Sequence, residues 1–238
     1  MTRAADDPRQ VTPRRPLSRA SIITEAVAFI DEFGLAELTM RRLGQRLGVE
    51  AMSLYRHVDG REALLDGVVN QVTDGLHLDP HQPLLPSDGW QAFVQGVATA
   101  VRAIALAHPR VFPLVATRHP SAPWLRPPLR SLDLVEAFLE GLVHRGFSDE
   151  GAVASYRAFS SFLLGHLLLE CAALGAGTAP AEEPLAEPDH RSVAQTDGDL
   201  TAFPNLRRLE YQLSADHSAA EFEESLEHLL ERLERFVA

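Results

Sequence analysis

Apolar residues recur along almost the whole chain at three- and four-residue spacing, and no run alternates apolar with polar for long enough to make a confident strand. That period points to helices packed on helices, an all-α fold. The 238 residues are 45% hydrophobic, which supplies a sizeable core and excludes a chain disordered throughout.

The first stripe is Ile22, Ile23, Ala26, Val27 and Ile30, with Ser18 placed to cap the helix N-terminus and Gly34 to end it. Thr39 opens a short second helix carrying Leu43 and Leu47, and Gly48 closes it. A third short helix is expected over 50–56. Asp59 and Glu62 have the spacing of a capping box for a longer helix running to about His77. Further helices are expected over 89–107, 110–116, 124–145, 149–175, 202–213 and 218–237. Residues 1–16, rich in Pro, Arg and Asp, read as a flexible arm; the prolines of 81–88 read as a linker; 176–199 reads as a long mobile loop. The expected division is an arm (1–16), a helix-turn-helix domain (17–65) and a larger helical body (66–238).

The net charge of −11 is unevenly spread. Residues 1–71 hold 10 arginines against 10 acidic residues, so the whole surplus lies in the remainder. A neutral head on an acidic body is compatible with nucleic-acid binding, because the charge at the docking face matters more than the sum. The single cysteine, Cys171, cannot form an intrachain disulfide. The N-terminus has no apolar signal region, and apolar runs such as 162–169 are broken by Gly165 and His166. These features predict a cytoplasmic chain without a membrane partner.

Between Leu38 and Val58, Leu43, Leu47, Val49 and Leu54 are spaced to pack two short helices against the first long one. Gly48 sits where the chain must turn. Ala51, Met52, Ser53, Tyr55, Arg56 and His57 are left facing outward. Small residues let a recognition helix sink into the major groove, and polar ones reach bases or phosphates. Spacing alone leaves an ordinary helical core as an equal alternative.

The stretch from Leu38 through Arg41, Arg42, Gly48, Ser53, Tyr55 and His57 to Val58, continued by Arg61-Glu-Ala-Leu-Leu, resembles the DNA-binding domain of the TetR family of repressors over roughly residues 18–70. Trp90-Gln-Ala-Phe, Thr117-Arg118, Gly146-Phe147-Ser148 and Leu164-Gly165 resemble its tetracycline-repressor branch. The resemblance implies that Thr39, Arg41, Ala51, Met52, Ser53, Tyr55, Arg56, His57 and Arg61 face operator DNA: Arg41 as a base reader, Ala51 to Ser53 in the groove, and Tyr55, His57 and Arg61 on phosphates.

It further implies a small-molecule inducer held by His77, Val97, Val101, Thr117, Arg118 and Phe138, with Leu169 or Glu170 at the far wall; Phe162 and His166 are further candidates for the same pocket. The expected homodimer is a four-helix bundle using Phe159, Leu163 and Leu167 with Leu226, Leu230 and Leu233. Leu114 or Val115 stands near the place of the branch's magnesium-binding histidine, and aliphatic side chains offer no oxygen ligand. The expected inducer is therefore largely apolar, with no metal or cofactor, and not magnesium–tetracycline. Ligand would tilt the helix following the head and spoil its spacing on palindromic double-stranded DNA. The alternatives are an all-α enzyme and a helical protein-interaction module. Against an enzyme, the sequence has no Gly-rich phosphate loop, Cys-x-x-Cys or His-Glu-x-x-His.

Overall fold

A computed structural model of the chain describes residues 17–74, 76, 89–177 and 204–237. They form ten α-helices: α1 Arg19–Phe33, α2 Met40–Leu47, α3 Ala51–Leu54, α4 Arg61–Thr73, α5 Trp90–Ala107, α6 Phe112–Val115, α7 Leu132–His144, α8 Asp149–Ala173, α9 Pro204–Ser214 and α10 Ser218–Leu233. Short 3-10 turns cover Leu35–Glu37 and Glu234–Phe236, and the only β pairing among the described residues is one isolated bridge between Phe147 and Val237. The protein is all-α.

The head is α1 to α3, with α4 as its floor. Ser18 accepts the Ser21 backbone N–H at 3.2 Å, and the Ser21 hydroxyl answers the Ser18 N–H, closing a capping box on α1. α1 packs on α4, so the buried stripe Ile22, Ala26 and Ile30 shares one core with Leu64 and Val68 of α4, and Leu43 of α2 and Leu54 of α3 belong to it at 0% exposure. α4 also packs on α5 and α6, so one helix belongs to both the head and the body.

In the body, α8 packs against α5, α6, α7 and α10. It is long and apolar enough to cross a membrane by length and composition alone. Its Phe159, Leu163 and Leu167 are buried within the chain, the disposition of a core helix.

Several boundaries differ from the sequence reading. The N-cap of α4 is Gly60 at φ +97°, with no side-chain cap, so Asp59 and Glu62 form no capping box; the Glu62 carboxylate is drawn to Arg130. α4 ends at Thr73. His77, the arm, the linker and nearly all of the expected mobile loop lie outside the described residues. α7 begins at Leu132 where 124 was expected. Pro127 and Pro128 lack the N–H a helix needs there, and Ser131 then caps the helix by accepting from Leu134.

Candidate nucleic-acid interface and ligand cavity

The reading head is built by two caps and one glycine. The Thr39 hydroxyl accepts the Arg42 N–H at 3.2 Å and starts α2. Gly48, at φ +67° and ψ +33°, occupies the left-handed region that side chains disfavour, and turns the chain into α3. Leu54, fully buried, fixes which side of α3 faces inward. The opposite side is left to solvent: Met52 is 73% and Tyr55 45% exposed, Arg56 and His57 are exposed, and Ala51 and Ser53 are half-buried. Thr39 and Arg41 are exposed at the start of α2.

The arginines divide into two groups. Arg42 pairs with Glu37, and Arg46 pairs with Glu25 and Glu32; both guanidiniums lie over the rings of Phe29 and Phe33. The Glu32 and Glu25 carboxylates raise the Arg46 pKa above its ordinary value. Arg41 and Arg56 have no ion pair or hydrogen bond among the described residues. Arg61, expected on phosphate, is half-buried and donates to the Leu38 carbonyl, locking α4 to the start of α2.

The body encloses an apolar cavity walled by Val97 and Val101 of α5, Val115 of α6, Leu129 in the segment before α7, Leu134, Val135 and Phe138 of α7, and Tyr156, Phe159, Ser160, Leu163 and Leu164 of α8. A volume of about 30 Å³ is open to the centre of a water molecule, room for roughly two waters. No charged side chain is in the wall. Phe93, Phe138 and Phe159 form a stacked ladder, with centroids 5.8 and 4.8 Å apart and planes at 23° and 11°. Gly141 lets this ladder close, since a Cβ there would lie 2.3 Å from the Phe93 ring. The Tyr156 hydroxyl donates to the Pro127 carbonyl at 2.9 Å; burial pushes its pKa up to about 12, so it stays neutral.

Of the residues expected around a ligand, Val97, Val101 and Phe138 meet in this wall. The others sit elsewhere. The Thr117 hydroxyl donates to the Leu114 carbonyl at 2.7 Å, in a cleft under the head, and Arg118 is exposed. Phe162 stacks on Phe222 at 5.7 Å, His166 meets the same ring edge-on at 5.2 Å, and Glu170 pairs with Arg102. Residues 162, 166 and 170 are one turn apart, so they share a face of α8 turned away from the cavity.

The six expected interface residues are also displaced. Phe159, Leu163, Leu167, Leu226, Leu230 and Leu233 are all buried by the chain's own residues, and Phe159 and Leu163 line the cavity. A side chain already covered inside one subunit cannot be the contact with a second. Sequence reasoning missed Arg130, whose side chain is only 5% exposed and is clamped by Glu62 and Asp66. The readable signal was an arginine among leucines after two prolines, and two carboxylates four residues apart on α4.

A family model for the N-terminal domain of bacterial regulatory proteins of the tetR family matches residues 22–68, and one for the tetracyclin repressor-like C-terminal domain matches 82–237. The chain belongs to the TetR family. It is 31% identical to the class C tetracycline repressor protein of Escherichia coli over 70% of each chain. Among solved structures it is similar to a possible TetR family transcriptional regulator of Streptomyces coelicolor A3(2), with 28% identity, TM-score 0.68 and coverage of 92% of this chain and 99% of that one. It is likewise similar to the TetR family protein ActR of Streptomyces coelicolor in complex with actinorhodin, with 27% identity, TM-score 0.64 and coverage of 92% and 97%.

Proposed function

We propose that this TetR-family regulator is a cytoplasmic repressor that binds palindromic operator DNA as a homodimer and leaves it when a largely apolar small molecule occupies the body. The observation that carries the reading is the division of labour in the head. Buried Leu43 and Leu54 hold α2 and α3, while Met52, Tyr55, Arg56, His57 and Arg41 are free to meet DNA. Met52 offers apolar contact to a thymine methyl, and the arginines reach bases or phosphates. TetR-family relatives are regulators rather than enzymes, and this head suits the same use.

The inducer needs no cofactor and no metal. The cavity offers stacked rings, aliphatic walls and the hydroxyls of Tyr156 and Ser160, a set suited to a flat, neutral molecule and not to a hard cation. ActR, solved with actinorhodin, is a similar protein holding a ligand. The dimer surface is the face of α8 that the chain covers least: Ser161 and Gly165 are exposed and Ala154, Ala158, Leu168 and Ala172 half-buried, at alternating four- and three-residue spacing, and Leu229 of α10 is likewise half-buried. That is the spacing of a helix-bundle seam, and its small residues allow close approach.

Selection of bound duplexes from a random pool, run beside Tyr55→Ala, tests the reading. An enriched palindrome that the variant fails to select supports it. No enrichment at low salt without ligand refutes it.

A further inference from the structure

The cavity and the head are joined through one buried arginine. The Arg130 backbone N–H donates to the carbonyl of cavity-lining Val115 at 2.9 Å, and its neighbour Leu129 is also in the wall. The side chain runs the other way. Its Nε donates to Asp66 Oδ1 at 2.8 Å, and its Nη2 donates to Glu62 Oε2 at 2.6 Å and to the Glu62 carbonyl at 3.4 Å. Glu62 and Asp66 are one turn apart, so the guanidinium spans the first two turns of α4. A second link between head and body joins the end of α1 to the segment after α5: His108 Nδ1 is hydrogen bonded to Asp31 Oδ2 at 2.7 Å, and Arg110 donates to the Asp31 carbonyl at 3.3 Å and to the Glu32 carbonyl. Neither His108 nor Arg110 touches the cavity.

We propose that Arg130 is the positioning residue that carries occupancy of the cavity to α4, with the His108–Asp31 contact as the hinge about which the head turns. The inference rests on the operator-release reading above. A cavity with room for two waters admits a larger ligand only if its wall moves. Most of the wall is core helix, held by the Phe93–Phe138–Phe159 ladder and by α8. The stretch at Leu129 and Arg130 lies between helices, and it is the part that yields. Because the Arg130 charge is buried, it cannot leave its two carboxylates without stranding itself. Glu62 and Asp66 therefore move with it, and α4 moves with them.

The test uses a filled cavity in place of a ligand. Val101→Phe, and the milder Val97→Leu, are made in the native chain and in an Arg130→Met/Asp66→Asn background, which removes the strut without leaving a buried charge unpaired. Glu62, with its side chain 62% exposed, stays solvated there. Operator affinity is read on the duplex that the native chain selects, and amide exchange is read over Arg61–Thr73. Melting curves identify folded variants, and Val97→Leu serves if Val101→Phe does not fold. Filling is expected to weaken operator binding about tenfold in the native background, and less than about threefold without the strut. Equal weakening in both backgrounds, or none in either, overturns the proposal. If the native chain selects no duplex, the operator reading has failed. Exchange then judges Arg130 alone: filling must loosen α4 only where Arg130 is present, and the same change in both backgrounds overturns the strut.

Discussion

Arg46→Ala and Arg56→Ala remove the same charge within one head, yet the structure predicts different defects. Arg56 is exposed in the turn after α3 with no partner among the described residues, so it is available to a phosphate. Arg46 is held back by Glu25 and Glu32 over the rings of Phe29 and Phe33. Each phosphate neutralised contributes about 0.9 to the slope of log affinity against log salt. A dimer loses two Arg56 contacts, so its slope falls by about 1.8. Between about 50 and about 200 mM salt, a fourfold change, the ratio of native to Arg56→Ala affinity should shrink about twelvefold. Arg46→Ala should leave the slope within about 0.3 of native, because that charge was already neutralised within the head. It should instead lower the melting temperature, since α1 and α2 lose a two-carboxylate bridge. Fluorescence anisotropy at four salt concentrations, with calorimetric melting of each free protein, reads both effects. An Arg46→Ala slope as reduced as that of Arg56→Ala would show that the ion pairs withhold nothing from DNA, and the division of the arginines would be wrong.

Gly141→Ala should place a methyl 2.3 Å from the Phe93 ring. Overpacking costs about 2 kcal/mol against roughly 1 kcal/mol gained in helix propensity, so the melting temperature should fall by about 2–4 °C; a rise would mean that the ladder yields freely. Gly165→Arg, at an open position on α8, should leave the folded chain intact and give monomers on sedimentation; an unchanged dimer would move the interface elsewhere. Burial raises the folded-state pKa of Tyr156 from 10.0 to about 12 and that of Cys171 from 9.0 to about 11. The stabilisation from holding both groups protonated is complete below pH 9 and is lost as pH rises from 9 to 12. Denaturant melts at high pH should show this decline, and Cys171→Ala should remove its lower part; a flat profile to pH 12 would contradict it.

Much of the head was legible because its structure is local. Ser18, Thr39 and Gly48 each act on atoms within four residues, and Leu43 and Leu54 face inward by helix period alone. The body was harder to read because its central helix, α8, is apolar on more than one side. On α8, residues 159 and 163 face the cavity, 162 and 166 face Phe222, and 161 and 165 face solvent. Periodicity finds such a helix but cannot say which stripe meets which neighbour. The expectation that Phe159 and Leu163 meet a second subunit therefore failed, and the small residues beside them are what remain uncovered. Arg130 escaped for a related reason. Its partners are 64 and 68 positions away, and only the fold brings a lone arginine onto two carboxylates of α4. A buried ion pair is weak evidence for stability, since apolar residues of the same shape often serve as well. What apolar residues do not supply is a fixed register. At the junction of a deformable cavity wall and the floor of a reading head, register is what a regulator must control.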